Sequence, residues 1–209
     1  MNLTTDSLAA EGPIPAEFAF GVLHPESHVT LGPNKNPAFS WSGLPAGTRS
    51  LVLVCHDRDV PSRGDDVNQE GRTVPADLPR VDFFHWTLVD LSPERGSIAS
   101  GEFSEGVIPR GKPGPSGPGG TRQGLNSYTE LFAGDADMEG DYFGYDGPCP
   151  PWNDEIAHHY IFTLYALDVE RCPIEGTFRA PEVLEAIRGH VLGEASVGGI
   201  YSLNPDVPA

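Results

Sequence analysis

At 209 residues and 22.4 kDa the chain suits one domain with a full-sized core, spanning 1–209. Its 13 Lys and Arg against 30 Asp and Glu leave a formal charge of −17, which disfavours nucleic acid and anionic lipid surfaces as partners. The 25 glycines and 21 prolines follow no fixed period and point to a loop-rich, mainly β domain.

No apolar run reaches the 18 or so residues of a membrane helix, so no membrane insertion is expected. The opening MNLTTDSLAAEGPIPAEF lacks a basic start and a continuous apolar stretch, and so does not read as a secretory signal. Cys55, Cys149 and Cys172 are widely spaced without a C-x-x-C pair. That suits reduced thiols and a cytoplasmic location.

In chain order, residues 16–24 (AEFAFGVLH) alternate with Phe18, Phe20 and Val22 on one side and predict a half-buried strand. A second short strand is expected over 38–41. Leu51 to Cys55 is a continuous apolar run, hence a central strand buried on both faces. Residues 62–82 carry eight charged side chains and no period, and read as a surface excursion. Phe83 to Leu91 is the next strand, interrupted by His85. Residues 106–124 hold eleven Gly or Pro and form an irregular connection within the domain. Tyr160 to Val169 predicts a long strand, with Thr163, Tyr165 and Leu167 opposite Phe162, Leu164 and Ala166. A helix is expected over 181–195, opened by Pro181 and striped by Val183, Leu184, Ile187, Val191 and Ala195. Ile200 to Leu203 reads as a closing strand.

The stretch Tyr142 to Tyr160 (YFGYDGPCPPWNDEIAHHY) is too proline-rich for regular structure and too aromatic to be mobile. It predicts one wall of a pocket. Asp57 and Asp59, two apart in an extended chain, project to one side; an exposed turn in which Asp bonds its own backbone is the plainer reading. His85 among aromatics is either a satisfied core histidine or a phosphoryl ligand. His158 and Tyr160 share one side of their strand. Gly144 and Gly147 either turn N–H groups toward an anion or serve turn geometry. No local ligand spacing supports a metal on Asp57, His85 and His158. Cys149 with His158 lacks a third, orienting group.

Three segments together are distinctive: HDRDVPS (56–62), HWTLVDL (85–91) and GYDGPCPPWNDEIAHHYIFTLYALD (144–168). With the closing GHVLGEASVGGIYS (189–202), they resemble the phosphatidylethanolamine-binding protein family, which includes the Raf kinase inhibitor proteins, in its bacterial YbhB/YbcL-type branch. The resemblance implies two antiparallel β-sheets with Greek-key connections and a C-terminal helix. It implies a pocket for small anions and phosphorylated head groups, built here from Asp57, Asp59, His85, Gly144, Gly147, His158 and Tyr160. Arg58 stands where the family's D-P-D-A-P has a proline, and Val60–Pro61 where it tends to have a cis bond.

The function implied is non-enzymatic binding of a small anionic or phosphorylated ligand, with no catalytic residue, metal or cofactor. Two other functions compete with it. One is a protein-interaction module that inhibits a kinase or protease through the 62–82 and 106–124 loops. The other is a hydrolase using His158 with Cys149 or a water. Bacterial relatives of this branch point to a homodimer.

Overall fold

The computed structural model describes residues 1–207 and Ala209. In chain order the strands and helices are β1 (Asn2–Thr4), β2 (Gly21–His24), β3 (His28–Leu31), β4 (Phe39–Ser42), β5 (Ser50–Pro61) and β6 (Arg80–Leu91). They continue with β7 (Ser97–Ile98), β8 (Arg122–Gln123), α1 (Tyr128–Leu131), β9 (His158–Leu167), α2 (Ala180–Ala186) and β10 (Val191–Tyr201). The main sheet runs β10-β9-β5-β6-β8, a smaller sheet runs β1-β4-β7, and β2-β3 is a separate hairpin. The pairings between these strands are antiparallel.

The apolar run in β5 explains its place. Flanked by β9 on one edge and β6 on the other, it is buried on both faces. Toward the smaller sheet, Leu51, Leu53, Trp86, Leu88, Phe162 and Leu164 meet Leu3, Phe39, Trp41 and Ile98. Toward α2, Val52, Val54 and Val89 meet Phe178, Val183 and Ile187. Each such side chain contributes about 1.5–3 kcal/mol on burial. The two faces of β9 divide as the alternation predicts, Phe162, Leu164 and Ala166 joining one core and Tyr165 and Leu167 the other.

Two expected elements are different in the structure. Residues 16–18 form a 3-10 turn, and the strand starts only at Gly21. Phe18 and Phe20 are both buried but enter different clusters, so one strand face was never needed. The helix ends at Ala186, well short of residue 195. Gly189, at φ +90°, turns the chain, and Val191 and Ala195 belong to β10. The apolar stripe was therefore half helix and half strand. The closing strand is the end of β10. Among the described residues the cis peptide is Gly114–Pro115, so Val60–Pro61 is trans.

The excursion 62–82 does not lie free. The Asn153 amide donates to the carbonyls of Asp66 (2.8 Å), Gln69 (3.4 Å) and Arg72 (3.1 Å), and its Oδ1 accepts the Asn68 N–H at 2.9 Å. In the 106–124 connection, Lys112 and Arg122 are buried in ion pairs with Asp146 (3.0 Å) and Asp90 (2.6 Å).

Candidate functional site

Three adjacent strands of the main sheet converge on one cavity. Asp57 pairs in register with Tyr160 of β9 and with Phe83 of β6. Alternation along each strand then brings His158 beside Tyr160 and His85 beside Phe83 on the same face. The cavity, about 340 Å³, is lined by these residues together with Tyr128 of α1 and Cys149, Pro150 and Pro151 of the long loop. Its mouth is formed by Ser62, Arg63, Gly64, Val67 and Asn68 of the excursion.

His158 is fully buried between two carboxylates. Its Nδ1 donates to Asp57 at 2.6 Å and its Nε2 to Asp154 at 3.1 Å. A ring that donates from both nitrogens is an imidazolium. Burial alone would lower its pKa, but the hydrogen bonds and charges of Asp154 and Asp57 prevail and hold it at about 9. Asp154 is in turn gripped by Arg80, whose two terminal nitrogens donate at 2.6 and 2.9 Å. The four charges therefore cancel within the cluster.

His85 is the opposite case. Its Nδ1 donates to the Asp146 carbonyl at 2.7 Å, while the Asp146 N–H donates back to the His85 carbonyl at 3.1 Å. Burial depresses its pKa against the pull of Asp57 and Asp146, so the ring is neutral and Nε2 is left for the cavity. Beside it, the Tyr160 hydroxyl is buried with no hydrogen-bond partner among the described residues. It lies near the Asp57 carboxylate without closing a hydrogen bond to it, and burial followed by that charge pushes its pKa well up.

Asp57, His85, His158 and Tyr160 thus stand together as the sequence reading expected, and the other three candidates do not. β5 carries one extra residue between Asp57 and Val60 relative to β6, a bulge that breaks the alternation. The Asp59 N–H donates back to Asp57 Oδ1 at 2.8 Å, and its carboxylate meets the N–H and Nδ1 of exposed His159. Arg58 and His159 line a separate open groove of about 680 Å³ over β9 and β10, outside the cavity.

Neither expected anion-loop glycine lines the cavity. The Gly144 N–H donates to Gly124 O at 3.0 Å and the Gly147 N–H to Asn34 Oδ1 at 2.8 Å, so neither is available to an anion. What they supply is room. Gly144 sits at φ +84° against Gln123, and a Cβ on Gly147 would fall 1.9 Å from the Phe18 carbonyl oxygen.

The loop's aromatics also serve differently. Tyr142 and Tyr145 are fully buried pillars, and Trp152 stacks on His28 at 3.9 Å. Only its Cys-Pro-Pro segment forms a cavity wall. The loop is pinned by Asp146, whose carboxylate accepts from Asn34 (2.7 Å) and Asn126 (2.8 Å) and pairs with Lys112.

Sequence reasoning missed Asp146, Asp154, Arg80 and Tyr128. For Asp154 a signal existed, an acid four residues ahead of His158 in the same motif. Asp146 had none, since its Asn34 partner is 112 residues away.

The phosphatidylethanolamine-binding protein family model matches residues 4–202. A UPF0098 protein of Methanothermobacter thermautotrophicus is 32% identical over 96% of this chain and 98% of its own. The UPF0098 protein YbhB of Escherichia coli is 27% identical over 82% of this chain and 84% of its own. The crystal structure of E. coli YbcL, described as a member of the mammalian PEBP family, superposes with a TM-score of 0.68 at 22% identity. It covers 96% of this chain and 97% of that one. By the span of the family match and the similarity to these relatives, the chain belongs to the phosphatidylethanolamine-binding protein family.

Proposed function

We propose that the chain binds a small phosphorylated or otherwise anionic ligand, of phospholipid head-group size, without turning it over. The observation that carries this is the Tyr160 hydroxyl, buried and unpartnered beside the free Nε2 of His85 at one end of the cavity. A buried donor without a partner costs roughly 1–3 kcal/mol, and a ligand oxygen would relieve it. A cavity of about 340 Å³ is at the small end for ligand sites and holds a head group rather than a diacyl lipid. Phe83, Tyr128, Leu131, Pro150 and Pro151 give it apolar walls around few polar groups.

Hydrolysis has weak support in the same geometry. Burial pushes the Cys149 thiol up to about 12, far from a thiolate at neutral pH. Both His158 nitrogens already donate, so that ring has no lone pair to act as a base.

Calorimetric titration of phosphoethanolamine tests the binding reading. The wild-type chain binds, and His85→Ala weakens binding about tenfold or more while the far-UV spectrum stays native. Unchanged affinity in a folded His85→Ala variant would place the ligand elsewhere. Release of phosphate or alcohol from the ester would overturn the non-enzymatic part.

A further inference from the structure

The nitrogen that His85 offers the cavity carries no proton. A carbonyl oxygen only accepts, so the 2.7 Å contact with Asp146 O places a hydrogen on Nδ1, and with burial keeping the ring neutral Nε2 presents a lone pair. The groups around it do not make an anion hole. On the β5 side lies the Asp57 carboxylate, and on the β9 side the His158 imidazolium, its charge matched by Asp57 and Asp154. From α1, the Tyr128 hydroxyl is committed to Gly147 O at 2.8 Å. From the loop, the Asp146 charge is paired with Lys112, and Cys149 is a neutral thiol. The cation at the mouth, Arg63, is 63% exposed and lies near Asp65.

A fully ionised oxyanion in this cavity would set its negative oxygens against the Nε2 lone pair and the Asp57 carboxylate. An oxygen that still bears its proton fits both neighbours. Its O–H donates to Nε2, and a second oxygen on the same phosphorus accepts the Tyr160 hydroxyl. Resting on the reading of this cavity as a phosphoryl site, we propose that it selects phosphate monoesters in their monoprotonated form and rejects phosphodiesters and sulfates. A diester or sulfate has already lost its acidic protons near neutrality. A monoester, with a second pKa of about 6, keeps a usable protonated fraction that falls about tenfold per pH unit above that value. The complex holds one proton between the ligand oxygen and Nε2. When the dianion binds, that proton is drawn from solvent. The selected chemistry is then that of free phosphoethanolamine, and not of the same head group esterified within a phospholipid.

The test is calorimetry on the wild-type full chain with phosphoethanolamine, glycerophosphoethanolamine and sulfate, from pH 6 to 9, in two buffers of different ionisation enthalpy. The monoester is expected to lose about tenfold in affinity per pH unit above neutrality and to take up close to one proton per ligand at pH 8. At pH 7 the diester and sulfate are expected to bind at least about tenfold more weakly than the monoester. Binding of the monoester without proton uptake, or of the diester or sulfate equally well, would overturn the proton rule while leaving a phosphoryl site intact. Absence of binding by all three across the pH range would remove the phosphoryl reading, and the inference with it.

Discussion

Tyr160 and Gly147 separate what the site residues do for the fold from what they do for a ligand. The Tyr160 hydroxyl is buried and unpartnered, so Tyr160→Phe removes a cost of about 1 kcal/mol or more from the native state. The same change deletes the donor proposed to meet the ligand. Thermal melts and calorimetry on one sample are therefore expected to move in opposite senses: an equal or higher midpoint, and phosphoethanolamine affinity reduced about five- to tenfold. A lower midpoint with undiminished affinity would make the hydroxyl structural. Gly147→Ala tests the reverse. Its Cβ would lie 1.9 Å from a backbone oxygen, which cannot yield as a flexible side chain would. A loss of about 3 kcal/mol or more in urea unfolding is expected. A variant of wild-type stability that merely fails to bind would restore Gly147 to an anion loop.

At the scale of elements, the 64–72 part of the excursion between β5 and β6 is gathered around one side chain. Asn153 holds the carbonyls of Asp66, Gln69 and Arg72 while accepting from Asn68, whose Oδ1 accepts the Trp152 N–H. Asn153→Ala removes this clamp from the cavity mouth but not the Arg80–Asp154 pair at the excursion's end. Hydrogen exchange over residues 64–72 is expected to accelerate by about tenfold or more, with the β5 and β9 amides unchanged. Uniform acceleration across the sheet would show that the excursion is part of the global folding unit. The same elements show what was legible in the sequence. β5, β6 and β9 each contain a long apolar run that marks them as strands, and the family motifs on them name Asp57, His85, His158 and Tyr160 as one site. Asp59 was misplaced because a one-residue bulge leaves no trace in a pattern of alternating side chains. The apolar spacing predicts too long a helix because Val191 and Ala195 fit it by chance, whereas Gly189 turns the chain before them. The excursion's role was hidden because its partner, Asn153, lies more than 80 residues away.

At the scale of the whole molecule, the buried pair and the surface charge make different demands on pH. The folded pKa of His158, about 9, lies above its ordinary 6.5. The native state thus keeps a proton that the unfolded chain gives up. The resulting stabilisation is present in full below pH 6.5 and is lost as pH rises through about 9, a change on the order of 3 kcal/mol. Asp154 runs the other way. Burial tends to raise its pKa, but its bonds to His158 and Arg80 hold it below 3.8, so its contribution disappears in acid. Self-repulsion from a net charge of −17 also grows toward alkaline pH, and would mimic the His158 loss. Salt separates the two. At about 0.5 M the Debye length falls to a few ångström, which screens surface repulsion far more than a buried ion pair. Urea unfolding at pH 6, 8 and 10 is expected to show most of the alkaline loss at both low and high salt. A loss abolished by salt would assign it to the surface, and His158 would then be no more basic than an ordinary histidine.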